Sequence, residues 1–369
     1  MSAERDKRFM KMALGLGRRG MGHCAPNPAV GCVIQKDNVV IGRGWTQAGG
    51  RPHAETQALS QAGSRSQGAT AYVTLEPCSH EGQTPPCATA LIKAGIKRVV
   101  VALTDPDPRV SGRGIKMLKA AGIEVTEGVL TEEASRDHAG FLLKVIRRRP
   151  FVTLKLATSF DGRIATGTGQ SQWITGPEAR RLVHTMRSRH DAVMVGGGTA
   201  RSDDPSLTVR DLGVSHQPAR VVVSRRIDLP LLGQLARSAS KIPLVLCHGQ
   251  DADPSLKETW AGLDATLLEC AAKGAQLDPQ DVLGQLADLG TTRVFCEGGG
   301  GLAASLIDAQ LVDRFVWFTA GMAIGAEGLP SIGALGLSAL QEAHRFELTQ
   351  LRQVGDDVLH VWDRKPNND

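Results

Sequence analysis

Residues 52–55 read Pro52-His53-Ala54-Glu55, and residues 76–87 read Glu76-Pro77-Cys78-Ser79-His80-Glu81-Gly82-Gln83-Thr84-Pro85-Pro86-Cys87. One histidine and two cysteines make a three-ligand zinc set with the fourth position open to water, the form zinc takes in catalysis rather than in closed structural sites. Glu55, two residues beyond His53, can lie beside such a metal without binding it. His53 alone reads as an ordinary core or surface histidine, and two cysteines alone as buried thiols. Their combination is more informative. Pro52 and Pro86 each stand where a proline opens a helix, and helix N-termini and zinc both favour thiolate over thiol. Residues 69–75 between them are an apolar run bounded by Gly68 and Pro77, a buried strand. Helix, strand, helix around a metal set is the local grammar of a layered α/β domain.

The flanking segments extend that pattern. Residues 2–19 carry Phe9, Met12, Ala13 and Leu16 at helical spacing, stopped by Gly20 and Gly22. Residues 30–34 and 39–44 are strands joined at Asp37-Asn38, a hairpin pair. Residues 97–103 and 123–125 read as strands and 112–121 as a helix. Residues 147–150 break the alternation, and Arg147-Arg148-Arg149 reads as a solvated linker. A second alternation follows, with strands at 151–157, 192–196, 219–224, 243–247, 293–297 and 313–320, helices at 177–189, 281–289 and 302–309, and closing strands within 346–362. The expectation is an α/β protein with domains at 1–147 and 148–369.

A chain of 369 residues accommodates two such domains. Hydrophobic content of 41% and charged content of 22% are those of a soluble globular protein. A net charge of +5 suits an anionic small molecule, and no basic block is long enough to indicate nucleic acid. Seven scattered cysteines form no disulfide framework, so a reduced, cytoplasmic protein is expected. The first 19 residues lack the apolar stretch of a signal peptide, and no window has the roughly 20 apolar residues of a membrane span. No membrane partner is expected.

The pattern H-x-E followed by P-C and a second cysteine is that of zinc deaminases of nucleobases, in which the glutamate moves protons between water, base and departing ammonia. Nucleic-acid and nucleoside deaminases use C-x-x-C. Here eight residues separate Cys78 from Cys87. That insert, together with Asn27-Pro28-Ala29-Val30-Gly31, resembles the bacterial bifunctional riboflavin-biosynthesis deaminase/reductase over essentially the whole chain. The resemblance implies an N-terminal cytidine-deaminase-like three-layer α/β/α domain and a C-terminal dihydrofolate-reductase-like α/β domain. It implies that His53, Cys78 and Cys87 hold one zinc ion per chain, that Glu55 is the general acid and base, and that Asn27 and His80 border the pyrimidine. The family often carries histidine after Gly-Trp, where this chain has Thr46.

In the second half, Cys296-Glu297-Gly298-Gly299-Gly300-Gly301-Leu302 reads as strand, glycine loop and helix, a place where backbone N–H groups can approach a phosphate. It lacks the G-x-G-x-x-G spacing of a Rossmann domain. Residues 154–165, 171–175 and 203–210 resemble the reductase domain of the same family. The resemblance implies NADPH contacts from Ala157, Trp173, Thr199, Asp203 and Ser224, and from a loop comprising Gly299, Gly300, Gly301, Leu302, Ala303, Ala304 and Ser305. It implies substrate contacts from Ser171, Arg187, Leu207, Arg210 and Glu297. Arg187 and Arg210 have the planar forks that match phosphate oxygens. Ser224-Arg225-Arg226, at a strand end, is placed to hold the 2′-phosphate that separates NADPH from NADH. Lys155, Asp203 and Glu297 are unranked candidates for proton delivery, with Asp203 equally placed to serve the cofactor alone.

The expected activity is zinc-dependent deamination of a phosphorylated diaminopyrimidine, then NADPH-dependent reduction of its ribosyl chain, by a homo-oligomer. A tRNA-type deaminase would need C-x-x-C spacing and an aromatic-bearing basic face, but the chain has a single Tyr. A closed structural zinc site would need a fourth ligand, for which His80 is the nearby candidate.

Overall fold

Strands buried on both faces need helices on both sides, and the apolar runs before and after the metal motif have that character. The computed structural model describes residues 3–81, 85–107 and 110–365. The chain forms two units, Met1–Arg148 and Arg149–Asp369.

In the first unit β1 (Gly31–Lys36), β2 (Val39–Trp45), β3 (Thr70–Val73), β4 (Arg98–Val101) and β5 (Glu124–Glu127) form one sheet in the order β2-β1-β3-β4-β5. β1 is antiparallel to β2 and β3, whereas β3, β4 and β5 are parallel. Asp37 and Asn38 turn the β1–β2 hairpin with φ of 53° and 65°, the left-handed geometry short Asx side chains tolerate. One face of the sheet packs on the small-residue stripe Ala54, Ala58 and Ala62 of α2 (Ala54–Ala62), on Ala88 and Leu91 of α3 (Cys87–Lys93), and on Leu118 of α4 (Arg113–Ala120). The other face packs on Phe9, Met10, Ala13 and Leu14 of α1 (Ala3–Gly17) and on Ala134 of α5 (Thr131–Arg147). This is the expected α/β/α sandwich. Its small residues let α2 ride low on the sheet. A Cβ on Gly44 of β2 would lie 2.0 Å from the Ala54 carbonyl oxygen at the start of α2.

Three readings change. His53 is not inside a helix opened by Pro52; it is the N-cap of α2, with extended backbone (φ −69°, ψ 159°). Helix α5 is not anticipated, because its buried face carries Ala134, His138 and Gly140 rather than large apolar residues. The arginine run is a solvated linker only in part, with Arg147 and Arg148 exposed where the first unit ends. α5 continues to Arg147, Arg148 (φ 53°) ends it, and Arg149 forks onto Asp313 with two bonds of 2.7 Å.

The second unit is built on nine strands: β6 (Phe151–Ser159), β7 (Ala192–Gly196), β8 (Ala219–Val223), β9 (Leu244–His248), β10 (Thr266–Glu269), β11 (Arg293–Cys296), β12 (Arg314–Ala320), β13 (Phe346–Val354) and β14 (Asp357–Arg364). Their order is β10-β9-β8-β7-β11-β6-β12-β14-β13. The first seven in that order are parallel, and the β13–β14 hairpin closes one edge antiparallel. Val152, Leu154, Met194 and Val294 point to one face, against α9 (Pro279–Asp288) and α10 (Gly300–Asp308). Val193, Val195, Val222 and Leu246 point to the other, against α7 (Gly197–Asp203) and Trp260 of α8 (Pro254–Gly262). On that second face Phe295 and Val316 meet Ala179 and Val183 of α6 (Pro177–Arg187). α7 is unforeseen because its two leading glycines read as a strand ending. A Cβ on Gly197 would lie 2.6 Å from Ser224 Oγ, so only glycine admits this packing.

Candidate active sites

In the first unit the metal donors converge from three places. His53 caps α2, Cys87 is the first residue of α3, and Cys78 follows the end of β3. His53 Nδ1 lies 3.3 Å from Cys87 Sγ and 3.7 Å from Cys78 Sγ, and all three donor atoms fall within 4.8 Å of one another. The Cys87 backbone N–H donates to Cys78 Sγ at 3.3 Å. Cys78 is driven down to about 4, first by its bond from the Cys87 thiol and, against desolvation, by His53. Cys87, the donor of that bond, is pushed the other way. One imidazole nitrogen and two sulfurs brought together in this way suit zinc, whose charge favours both thiolates. Among the described residues no other His, Cys or carboxylate group of three converges like this.

Glu55 stands in the first turn of α2, 4% exposed. Desolvation, and then the Cys78 charge, raise its carboxyl to about 7. Behind the site Glu76 is buried and accepts from the backbone N–H groups of Asp105 (3.2 Å), Gly112 (2.9 Å) and Ile115 (3.2 Å). It thereby ties the Pro77-Cys78 segment to the start of α4. Sequence reading passed over Glu76, although an acidic residue ending the apolar run 69–75 is a signal for a buried, satisfied carboxylate.

In the second unit a cavity of about 790 Å³ opens at the carboxyl ends of the parallel strands, where open α/β sheets bind ligands. Lys155 and Ala157 of β6, Glu297 after β11 and the Gly298–Gly301 turn line it, together with Thr199 of α7 and Ser224 after β8. Gly298 and Gly299 have φ of 81° and 48°, and α10 starts at Gly300. A Cβ on Gly300 would lie 2.9 Å from the Pro330 carbonyl oxygen, so close approach of another backbone holds this position to glycine. A glycine turn at a helix N-terminus is a place where backbone N–H groups can meet an anion. Glu297 is gripped by Arg187, whose Nε and Nη2 reach its two oxygens, the latter at 2.9 Å, while Nη1 donates to the Thr208 carbonyl at 2.7 Å. Burial pushes the Glu297 carboxyl up, but Arg187 and then Lys155 outweigh it and hold it below the usual range. Burial lowers Lys155, against the pull of Glu297.

Residues 150–360 match the RibD C-terminal domain family, and residues 3–103 match the cytidine and deoxycytidylate deaminase zinc-binding region. The chain is 39% identical to riboflavin biosynthesis protein RibD of Aquifex aeolicus over 99% of its own length and all of the relative's. The chain belongs to the RibD family. Among solved structures, Acinetobacter baumannii RibD superposes with a TM-score of 0.89 at 37% identity, covering 99% of this chain and 100% of that one. A diaminohydroxyphosphoribosylaminopyrimidine deaminase/5-amino-6-(5-phosphoribosylamino)uracil reductase from Thermotoga maritima gives 0.86 at 32%, covering 98% and 99%. As in RibD proteins, this chain joins a zinc-binding deaminase domain to a reductase domain for riboflavin biosynthesis.

Within the RibD frame the expected residues fall into distinct places. Asn27 is half-buried, with its amide nitrogen donating to the Gly50 carbonyl at 3.0 Å, and His80 is exposed. Thr46 is buried, and its hydroxyl accepts the Val30 N–H at 3.0 Å, so here the position serves as a joint of the backbone. Ala157, Ser171, Thr199, Asp203, Ser224, Glu297, Gly299, Gly300, Gly301, Leu302 and Ser305 line the reductase cavity. Leu302 to Ser305 are helix, not loop, and Ala303 and Ala304 turn into the core. Leu207 is buried in the core on the α7 face of the sheet. Trp173, 64% exposed under the Arg180 guanidinium, and Arg210, exposed, stand outside the cavity lining, as does Arg187 behind Glu297. No helix among the described residues is long and apolar enough to cross a membrane.

Proposed function

We propose that the first unit hydrolytically deaminates 2,5-diamino-6-ribosylamino-4(3H)-pyrimidinone 5′-phosphate, and that the second reduces the ribosyl chain of the product to ribityl with NADPH. The observation that carries the reading is the convergence of His53, Cys78 and Cys87 beside a buried Glu55. These three residues would hold zinc, which supplies the Lewis acidity that makes water nucleophilic near neutral pH. Glu55 takes the proton that water gives up and delivers it to the ring nitrogen. It then takes the remaining proton from the hydroxyl now on carbon and passes it to the amino group, so that the C=O bond forms as the C–N bond breaks and ammonia departs. Burial suits this role, because a desolvated carboxylate is a stronger base than one in water.

In the second unit NADPH would lie along the glycine turn, with Thr199 and Ser224 beside it, and supply the hydride. The ribose, opened to an imine at C1, gains that hydride at carbon and one proton at nitrogen. Lys155 supports this proton transfer better than its rivals. It lines the cavity with its pKa lowered by burial, whereas the Glu297 carboxylate is taken up by Arg187 and the Asp203 carboxylate accepts the Ser202 hydroxyl at 2.8 Å on an exposed helix end. Arg187 then orients Glu297, and Arg210 remains the candidate for the substrate phosphate. The protein is read as a cytoplasmic homo-oligomer.

The test supplies the diaminopyrimidine phosphate and follows ammonia release and loss of NADPH absorbance, with and without a chelator. Both signals are expected without it. With it, ammonia release stops, while NADPH oxidation continues if the deaminated pyrimidine is supplied. Chelator-insensitive ammonia release would remove the zinc reading.

A further inference from the structure

The reductase cavity carries three arginines near the end of β8: Arg201, Arg225 and Arg226. Two are already neutralised. Arg201 Nη1 donates to Asp228 at 2.7 Å. Arg225 forks onto Asp251, with Nε on Oδ1 and Nη2 on Oδ2, both at 3.0 Å, and its Nη1 reaches towards the Gly274 carbonyl at 3.4 Å. Arg226 is exposed, and among the described residues no carboxylate lies within ion-pair distance of it. Asp251 nevertheless feels the charge of both Arg225 and Arg226. The three side chains form one electrostatic unit of net charge +1, whose uncommitted member is Arg226.

A guanidinium already paired with a carboxylate presents almost no net charge to an incoming anion, whereas a free one matches a phosphate in both charge and geometry. We propose that Arg226 is the residue that distinguishes a 2′-phosphorylated from an unphosphorylated adenine nucleotide in this cavity, and that Asp251 limits the preference by keeping Arg225 engaged. The proposal rests on the NADPH reading of the cavity and adds to it which arginine selects and which acid restrains the selection. It sets two substitutions in opposite directions. Arg226→Gln takes the unit from +1 to zero and lowers discrimination. Asp251→Asn takes it to +2, releases Arg225 and raises discrimination.

The experiment is calorimetric titration of the full chain with adenosine 2′,5′-bisphosphate and with AMP, which lacks the 2′-phosphate. The quantity read is the ratio of the two dissociation constants. In the unaltered protein the bisphosphate binds more tightly. In Arg226→Gln the ratio falls about tenfold or more, the scale of a lost bond to a charged group, and in Asp251→Asn it rises. AMP affinity, measured alongside, reports that each variant keeps a folded cavity. Retention of the full ratio by Arg226→Gln, or loss of it in Arg225→Gln instead, overturns the assignment of Arg226. An unaltered protein that binds both nucleotides equally overturns the 2′-phosphate site. One that binds neither removes the NADPH reading and this inference with it.

Discussion

Glu55 and Glu297 are both largely withdrawn from water, yet their surroundings set them opposite tasks. Glu55 faces two sulfurs and an imidazole, and the Cys78 charge adds to desolvation in favouring its protonated form. Glu297 faces Arg187 and Lys155, which favour the carboxylate. The first can gain and lose a proton; the second serves as a fixed anion. Glu55→Gln keeps the shape but cannot take up a proton. Zinc content measured on the purified variant should be unchanged, while ammonia release falls by roughly 10²–10⁴, the range general acid–base catalysis supplies. Unaltered ammonia release would end the assignment. For Glu297, Arg187→Ala strands a carboxylate that is 12% exposed, and breaking such a pair from one side costs about 3–5 kcal/mol. Removing both partners removes the stranded charge. Urea unfolding should therefore show Arg187→Ala/Glu297→Ala to be more stable than Arg187→Ala alone; equal or lower stability of the double variant would show that the pair is not electrostatically coupled.

The elements that carry these residues depend on contacts that differ greatly in how readily a sequence reveals them. Strands at 30–34, 192–196 and 293–297 are legible because short clusters of Val, Ile, Met, Phe and Cys beside Gly or Pro leave few alternatives. The convergence of His53, Cys78 and Cys87 is legible because these residue types and this spacing are rare together. Asp6 and Arg98 are not: 92 residues apart, they meet inside the first unit with bonds of 2.8 and 2.9 Å, and Tyr72 donates to the same carboxylate. The α4–Pro77 contact is equally silent. A Cβ on Gly114 would lie 2.0 Å from the Pro77 carbonyl oxygen, and a clash with backbone cannot be relieved by a rotamer. Gly114→Ala should destabilise the fold by about 1–3 kcal/mol, and zinc content should fall with it, because the displaced segment carries Cys78. Full zinc loading would show that the segment adapts. At the end of α6, His190 gives its Nδ1–H to the Met186 carbonyl at 2.7 Å and accepts the Thr153 hydroxyl at Nε2. Burial, with Arg293, Arg314 and Arg189 nearby, pushes it down to about 3. Its folded value is thus depressed below the unfolded 6.5, so only the unfolded chain takes up this proton as pH falls between them. The neutral ring's contribution is complete above about 6.5 and declines by about 1.4 kcal/mol per pH unit on acidification. Stability of the parent and of His190→Asn, measured from pH 7.5 to 5, should converge at the acid end. Parallel profiles would remove His190 as the source.

For the molecule as a whole, the division into two catalytic units is legible because hydrophobic alternation stops at 147–150 and restarts. What the arginines there do is not legible, since Arg149 finds its partner Asp313 164 residues away. Each unit closes its own core: α1 to α5 wrap the five-stranded sheet, and α6 to α10 wrap the nine-stranded one. The proposed zinc ligands all belong to the first unit, and with zinc bound they would tie together α2, α3 and the segment after β3. A ligand that binds the folded form alone stabilises that form by mass action, by roughly 4 kcal/mol at a thousandfold excess over its dissociation constant. Removing zinc should therefore act on one unit only. In scanning calorimetry the zinc-loaded chain is expected to lose a transition at the position of the first unit on chelation and to regain it at lower temperature, while the transition of the second unit stays in place. A single transition that moves as a whole on chelation would show instead that the two units unfold together.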